Sequence, residues 1–355
     1  MVDANEGIDL ADFNGDKKLD VVAGRFWYAA PDFIPRPVRN IKDWNGYVES
    51  NGDFAFDVNQ DGKPDVVAGG FIDTKIHWYE NPGPEALKLG RQWKQHLLVD
   101  TKQSQNEISF LFDLDGDQQP EWITNSWNGR NPILAWQFQR EGKKVSFKRI
   151  LIGADGQGHG LGVGDIDNDG DPDVVTATGW YENPGVKPFS KPWKFHKDWN
   201  LGQASCPILI RDLDGDGKND MIWGKGHDYG LYWWRQKGKS ESGKIEFESN
   251  TIDDKFSQPH AIHFADLTGD GKDELITGKR VFAHNGGDPG GKEMACMYYY
   301  RWNKESKSFQ KHVIDEGHVG TGLQIRTGDL DGDNRTDIAV AGKDGTWVLF
   351  NRAKK

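Results

Sequence analysis

Seven copies of one acidic nine-residue segment, a regular step between them and short strand-like runs on either side predict an all-β fold, a seven-bladed β-propeller with a D-x-D-G-D-x-x-x-D calcium-type loop in each blade. The copies are DFNGDKKLD from Asp12, DVNQDGKPD from Asp57, DLDGDQQPE from Asp113, DIDNDGDPD from Asp165, DLDGDGKND from Asp212, DLTGDGKDE from Asp266 and DLDGDNRTD from Asp329. Their first aspartates are 45, 56, 52, 47, 54 and 63 residues apart. A blade of four short strands needs roughly 40–50 residues, so residues 1–355 read as a single propeller domain. A β-sandwich with one calcium loop gives no reason for sevenfold repetition.

Each unit supplies its strands in order. An alternating run such as HAIHFA or GLQIRTG precedes the acidic segment, and VVAG, VVTATG, LITG or IAVAG follows it. An aromatic run comes third, as in HWYENPG from His77, GWYENPG from Gly179, LYWWR from Leu231 and TWVLFN from Thr346. The fourth has the form WKQHLL, FKRILI, FESNTI or FQKHVI. Only six such outer strands are found, so the seventh blade is expected to have three strands. His96, His196 and His312 lie in these outer strands and read as structural.

Composition narrows the function. Hydrophobic residues make up 36% of the chain and the mean hydropathy is −0.75. No apolar stretch approaches the roughly 18 residues of a membrane span. A formal charge of −11 argues against a nucleic-acid binder working through a general basic surface. Two cysteines, Cys206 and Cys296, make no disulfide framework. The opening MVDANEG has neither a basic nor an apolar leader region. The expected location is periplasmic or secreted, with the leader already removed.

Carboxylates at positions 1, 3, 5 and 9 of a tight turn repel one another unless a hard cation sits among them, and calcium accepts such oxygen sets. The expected ligands are Asp12, Asn14, Asp16 and Asp20; Asp57, Asn59, Asp61 and Asp65; Asp113, Asp115, Asp117 and Glu121; and Asp165, Asp167, Asp169 and Asp173. The series continues with Asp212, Asp214, Asp216 and Asp220; Asp266, Asp270 and Glu274; and Asp329, Asp331, Asp333 and Asp337. Thr268 replaces an acid in the sixth loop, which should bind most weakly. The alternative is a row of solvated Asx turns.

The start of each inner strand should lie at the face opposite these loops. Six residues before each first aspartate stand Glu6, Asn51, Glu107, His159, Cys206, His260 and Leu323, a ring rich in groups that ligate or move protons. His159, His260 and Glu107 suit a further divalent metal, Zn2+ or Mn2+. His227 and Tyr229 are candidate acid–base groups beside it, which makes His159, His227, His260 and Tyr229 the expected catalytic set. Arg25, Trp127, Arg130, Lys225, Lys279, Arg280, His284 and Lys343 are expected to bind substrate from the loops at that face. The longest of these loops, GKRVFAHNGGDPGG, is in unit six.

The acidic segment followed by VVAG resembles the FG-GAP or VCBS repeat, also present in the propellers of integrin α-subunits, and the resemblance spans the chain. More loosely, the pattern is similar to the propeller of aldos-2-ulose (anhydrofructose) dehydratase and to calcium-bearing propeller polysaccharide lyases. That resemblance implies a carbon–oxygen lyase or dehydratase acting on a keto-sugar or glycoside by metal-assisted proton abstraction and β-elimination. The expected partner is thus a carbohydrate, with no nucleic acid and no membrane span. The alternatives are a calcium-stabilised propeller that binds a glycan or protein without chemistry, and a purely structural surface protein.

Overall fold

In a computed structural model, residues 3–352 are described; the termini of the expected 1–355 domain lie outside them. Six four-stranded antiparallel sheets and one three-stranded sheet follow one another in chain order. The first sheet is built from Asp9–Ala11, Asp20–Ala23, Phe26–Ala29 and Ile34–Pro37, and the last from Ile325–Gly328, Asp337–Gly342 and Gly345–Leu349. The seven-bladed propeller is therefore the fold, with strands named A to D outward from the axis. The last blade has three strands among the described residues. Helix is confined to a few residues, such as Pro84–Leu87, and no described helix is long and apolar enough to cross a membrane.

The core lies between blades, because each sheet is apolar on both faces. Phe54, Val67 and Trp78 of the second blade pack with Trp122, Leu134 and Trp136 of the third. Inner strands approach too closely for any side chain at some points: a Cβ on Gly162 would stand 2.2 Å from the Ile208 carbonyl oxygen. The outer-strand histidines are structural, as expected. His96 stacks on Trp78 and His196 on Trp180, each at 4.3 Å, and each bonds a glutamate. His312 stacks on Tyr299 at 4.6 Å.

The acidic loops have a folding role that does not depend on an ion. The first carboxylate closes the turn, as where Asp12 accepts from the amides of Gly15, Asp16 and Lys17 at 2.7–3.0 Å. The ninth ties the loop to strand C. Asp173, for example, accepts from the Ile166 amide at 3.1 Å and the Asn183 amide at 2.9 Å. A side-chain amide on strand C then clamps the preceding blade. Asn81 donates to the Phe13 carbonyl, Asn183 to Leu114, Gln236 to Ile166 and Asn351 to Leu267, at 2.7–2.9 Å. Blade seven joins blades one and two through Gln324, whose oxygen accepts from the amides of Ile8 at 2.8 Å and Asp53 at 3.1 Å.

Candidate metal centre and mouth

Every A strand leaves its acidic loop at one face, so the residues before the A strands meet at the other. Glu107 begins the inner strand of blade three, while His159 and His260 precede those of blades four and six. His227 lies in the B–C loop of blade five, between Asp220–Gly224 and Tyr229–Lys239. One ligand atom from each of Glu107, His159, His227 and His260 falls within 4.8 Å of the other three, and all four residues are buried. The Nε2 atoms of His227 and His260 each lie 3.1 Å from Nε2 of His159. Room for this packing comes from Gly226, where a Cβ would stand 2.9 Å from both the His159 and His260 rings.

The other ring nitrogens decide what this means. His159 Nδ1 lies 2.6 Å from the Ala204 carbonyl oxygen and can only donate there. His227 Nδ1 lies 2.8 Å from an Asp288 oxygen. In the neutral rings both Nε2 atoms are then lone pairs, pointed at each other at 3.1 Å with no proton between them. Burial first, then the neighbouring His260 and Arg280, pushes His227 down to about 4. Burial and His260 hold His159 well below the usual imidazole range. Both shifts favour the neutral rings, and a cation placed between two such lone pairs would satisfy them. Donors held at metal–nitrogen distances of about 2.0–2.1 Å in a tetrahedron are roughly 3.3 Å apart, close to the spacing seen. The Nδ1 contacts match the outer partners that orient metal-bound imidazoles. His260 Nδ1 is buried with no hydrogen-bond partner among the described residues.

Arg280 crosses the channel from blade six. It binds Glu6 of blade one at 2.6 and 2.9 Å, and its other nitrogen reaches Glu107. Burial would raise both carboxyls, but Arg280 outweighs it and holds Glu6 below, and Glu107 well below, the usual range. Beside this network lies a cavity of about 130 Å³, lined by Glu6, Asn51, Glu107, Arg280, His284 and Lys343, with Trp44, Tyr47 and Phe71 as its aromatic wall. His284 stacks on His227 at 4.4 Å, and its Nδ1 lies 2.7 Å from the second Asp288 oxygen. The loop that carries it holds Phe282, His284 and Asn285 at φ of 46–54°, a left-handed conformation that costs non-glycine residues energy and is common at functional sites.

Of the expected mouth residues, His159, His227, His260, Glu107, Trp127, Arg280, His284 and Lys343 come together. His227 sits among the converging nitrogens rather than beside them as a free acid or base. The Tyr229 hydroxyl donates to Glu293 at 2.5 Å, outside the cluster. Arg25 binds Asp3 and Asp43 and the Ile41 carbonyl, anchoring a loop. Lys279 is buried, and its ammonium donates to Ser257, Gln258 and the Gly290 carbonyl. Arg130 is exposed, and Lys225 pairs with Asp228 at 3.4 Å. Trp127 packs its ring edge to face with those of His159, His227 and His284 at 5.3–5.8 Å. Gly226, Trp44 and Tyr47 are additions that the sequence reading did not select.

On the opposite face, acid oxygens cluster in the loops at Asp113, Asp165 and Asp212. Glu121 Oε1 and Asp167 Oδ1 are buried acceptors with no donor among the described residues. Burial, with neighbouring carboxylates adding, raises Glu121 and Asp173 to about 8. Those features fit a bound cation. Basic side chains share the role in the Asp212 loop, where Arg235 bonds Asp214 at 2.5 Å and Asp216 at 2.8 Å, and in the Asp266 loop, where Arg301 binds Asp270.

Residues 113–176 and 212–277 match the FG-GAP-like repeat family. No curated protein matches the sequence. Among solved structures, the chain is similar to BBS1N in its complex with ARL6DN, at 12% identity and a TM-score of 0.54, over 100% of this chain and 96% of that one. It is also similar to the V. cholerae biofilm matrix protein Bap1, at 11% identity and a TM-score of 0.41, over 98% and 80% of the two chains. A third is the Tc holotoxin pore of Photorhabdus luminescens, at 15% identity and a TM-score of 0.35, over 91% of this chain and 15% of that one. The first of these likenesses concerns the fold alone. This chain is a seven-bladed β-propeller that carries FG-GAP-like repeats.

Proposed function

We propose that the mouth is a divalent-metal centre, Zn2+ or Mn2+, held by His159, His227, His260 and Glu107, and that the protein is an exported carbohydrate-active carbon–oxygen lyase or dehydratase. The observation that carries this reading is the convergence of three imidazole nitrogens and one carboxylate oxygen within 4.8 Å, two of the nitrogens being lone pairs turned on each other. A metal bound there supplies a Lewis acid for a substrate carbonyl oxygen. Asp288 orients both His227 and His284 through its two oxygens. His284, with Nδ1 held by Asp288, presents Nε2 as the base that takes the proton alpha to the carbonyl. The same nitrogen returns that proton to the departing β-hydroxyl, so the α C–H and β C–O bonds break, a C=C bond forms and water leaves. Calcium in the loops at Asp113 and Asp165 serves the fold, since a ligand of the folded state alone stabilises it.

The test has two parts. After loading with zinc or manganese in excess calcium and gel filtration to remove free metal, elemental analysis should find about one zinc or manganese per chain, and His159→Ala should lack it. Turnover on a panel of 2-keto and 3-keto sugars should be lost in His159→Ala and in His284→Gln. A chain that retains no transition metal, or keeps full turnover in both variants, overturns the reading. The aromatic wall of the cavity favours a second reading, a glycan-binding propeller without chemistry. It predicts saturable sugar binding with no product.

A further inference from the structure

The aromatic wall belongs to an element outside the seven blades. Between blades one and two, Asp43–Trp44 pairs with Tyr47–Val48 as a separate two-stranded hairpin. Its turn, Asn45–Gly46, has φ of 52° and 87°, the positive pair that a tight two-residue hairpin requires. The hairpin is fixed in place. Arg25 holds Asp43 and donates to the Ile41 carbonyl at 2.8 and 3.0 Å, and the Val48 amide donates to Ala4 at 2.7 Å.

This rigid mounting carries a large apolar ring that the fold does not bury. Trp44 is 42% exposed, yet it lines the cavity that Glu107 shares with the metal cluster. Tyr47 is occupied. Trp44 packs on it at 5.6 Å, and the Lys343 ammonium sits 4.1 Å from its ring centre. Phe71 packs edge to face with Trp127 at 6.2 Å, and Trp44, the most exposed of the three rings, is therefore the aromatic surface left for a ligand. Indole faces stack on the apolar C–H face of a sugar ring, while the ring's oxygens stay free for polar groups.

Charge narrows the sugar. Arg280 is spent on Glu6 and Glu107, and Lys343 lies 3.7 Å from Glu6 and over Tyr47. Glu49, the third carboxylate of the wall, is taken up by the amides of Ile72 and Asp73. Each cation of the wall already has a carboxylate partner. With Asp288 behind His284, four carboxylates face two cations, and a divalent metal cancels the difference. A carboxylate or sulfate on the ligand would meet no unspent positive side chain.

We propose that Trp44 is the stacking platform of the mouth and that its ligand is an uncharged pyranose, lying between the hairpin and the His/Glu cluster. This rests on the carbohydrate reading above and sharpens it to neutral over acidic sugars. The experiment uses the zinc-loaded protein on an array of neutral glucosides and galactosides beside the matching uronides, with zinc content measured on the same samples. Neutral glycans should be captured in preference to their uronides. Trp44→Ala should weaken capture about tenfold, with zinc per chain and melting temperature unchanged, and Trp44→Phe should restore most of it. Equal capture by Trp44→Ala, preference for uronides, or capture of no glycan overturns the proposal. Failure of the metal reading shows separately, as wild-type protein that holds no zinc.

Discussion

The two faces of this propeller use the same register in opposite ways. On the loop face, each blade repeats nearly the same residues: an aspartate that closes the turn and a carboxylate that reaches the next strand, with a side-chain amide clamping the blade before it in four of the seven. On the mouth face, the equivalent position takes five residue types in the seven units, as Glu6, Asn51, Glu107, His159, Cys206, His260 and Leu323. Repetition marks what each blade needs to fold. Its absence marks where side chains of several blades meet at the axis, each in its own place around a shared point.

That contrast can be broken from either side. The largest effect is expected at the mouth: His159→Ala or His227→Ala should weaken mouth-metal binding by at least about 100-fold. The melting temperature of the calcium-loaded protein should barely move, since little apolar surface is lost. Equilibrium dialysis with zinc and a thermal melt read the two halves. On the loop face the order reverses. Asp173→Ala leaves the buried amides of Ile166 and Asn183 without acceptors and should cost about 2–4 kcal/mol in denaturant unfolding, with zinc at the mouth retained.

Smaller effects sharpen the comparison. Asp288→Asn should lower zinc affinity by about 10–100-fold while stability is kept, because it loosens the tautomer of His227 without removing a ligand. Asn183→Ala removes the bonds to Leu114 and Pro172 across two blades and should cost about 1–2 kcal/mol, read by the same unfolding curves. The smallest concerns pH. Burial, with Arg326 adding, lowers His263 to about 4. The unfolded chain takes up a proton below its ordinary value of about 6.5 that the folded protein refuses. The contribution is whole above about pH 6.5 and falls as the pH drops towards 4. Unfolding of wild type should therefore lose about 2 kcal/mol more than His263→Gln between pH 7 and 5.

What was legible in the sequence follows the same division. Seven tandem acidic segments set the blade number, and the runs around them the strand order and, with only six outer strands, the three strands that the last blade has among the described residues, because each signal is local and repeated. The ring position six residues before each loop led to His159, His260 and Glu107 for the same reason. Pairings across the channel were not visible. Nothing local says that Arg280 will reach Glu6 and Glu107, that Asp288 will hold two histidines, or that Lys279 will be buried under its own loop. These depend on how the ring closes. Trp44 could have been found, since Asn-Gly between two aromatics signals a hairpin. Gly226 gave no signal, as its value lies in the two imidazoles it lets approach.

The central claim is that three histidines and a glutamate from four different blades form one metal site on the axis. Anomalous diffraction at the zinc absorption edge, from crystals of the zinc-loaded protein, tests it most directly. The account predicts one strong peak at the mouth, bonded to Nε2 of His159, His227 and His260 at about 2.0–2.1 Å. Crystals that show zinc only in the acidic loops, with the three rings unligated, would contradict it.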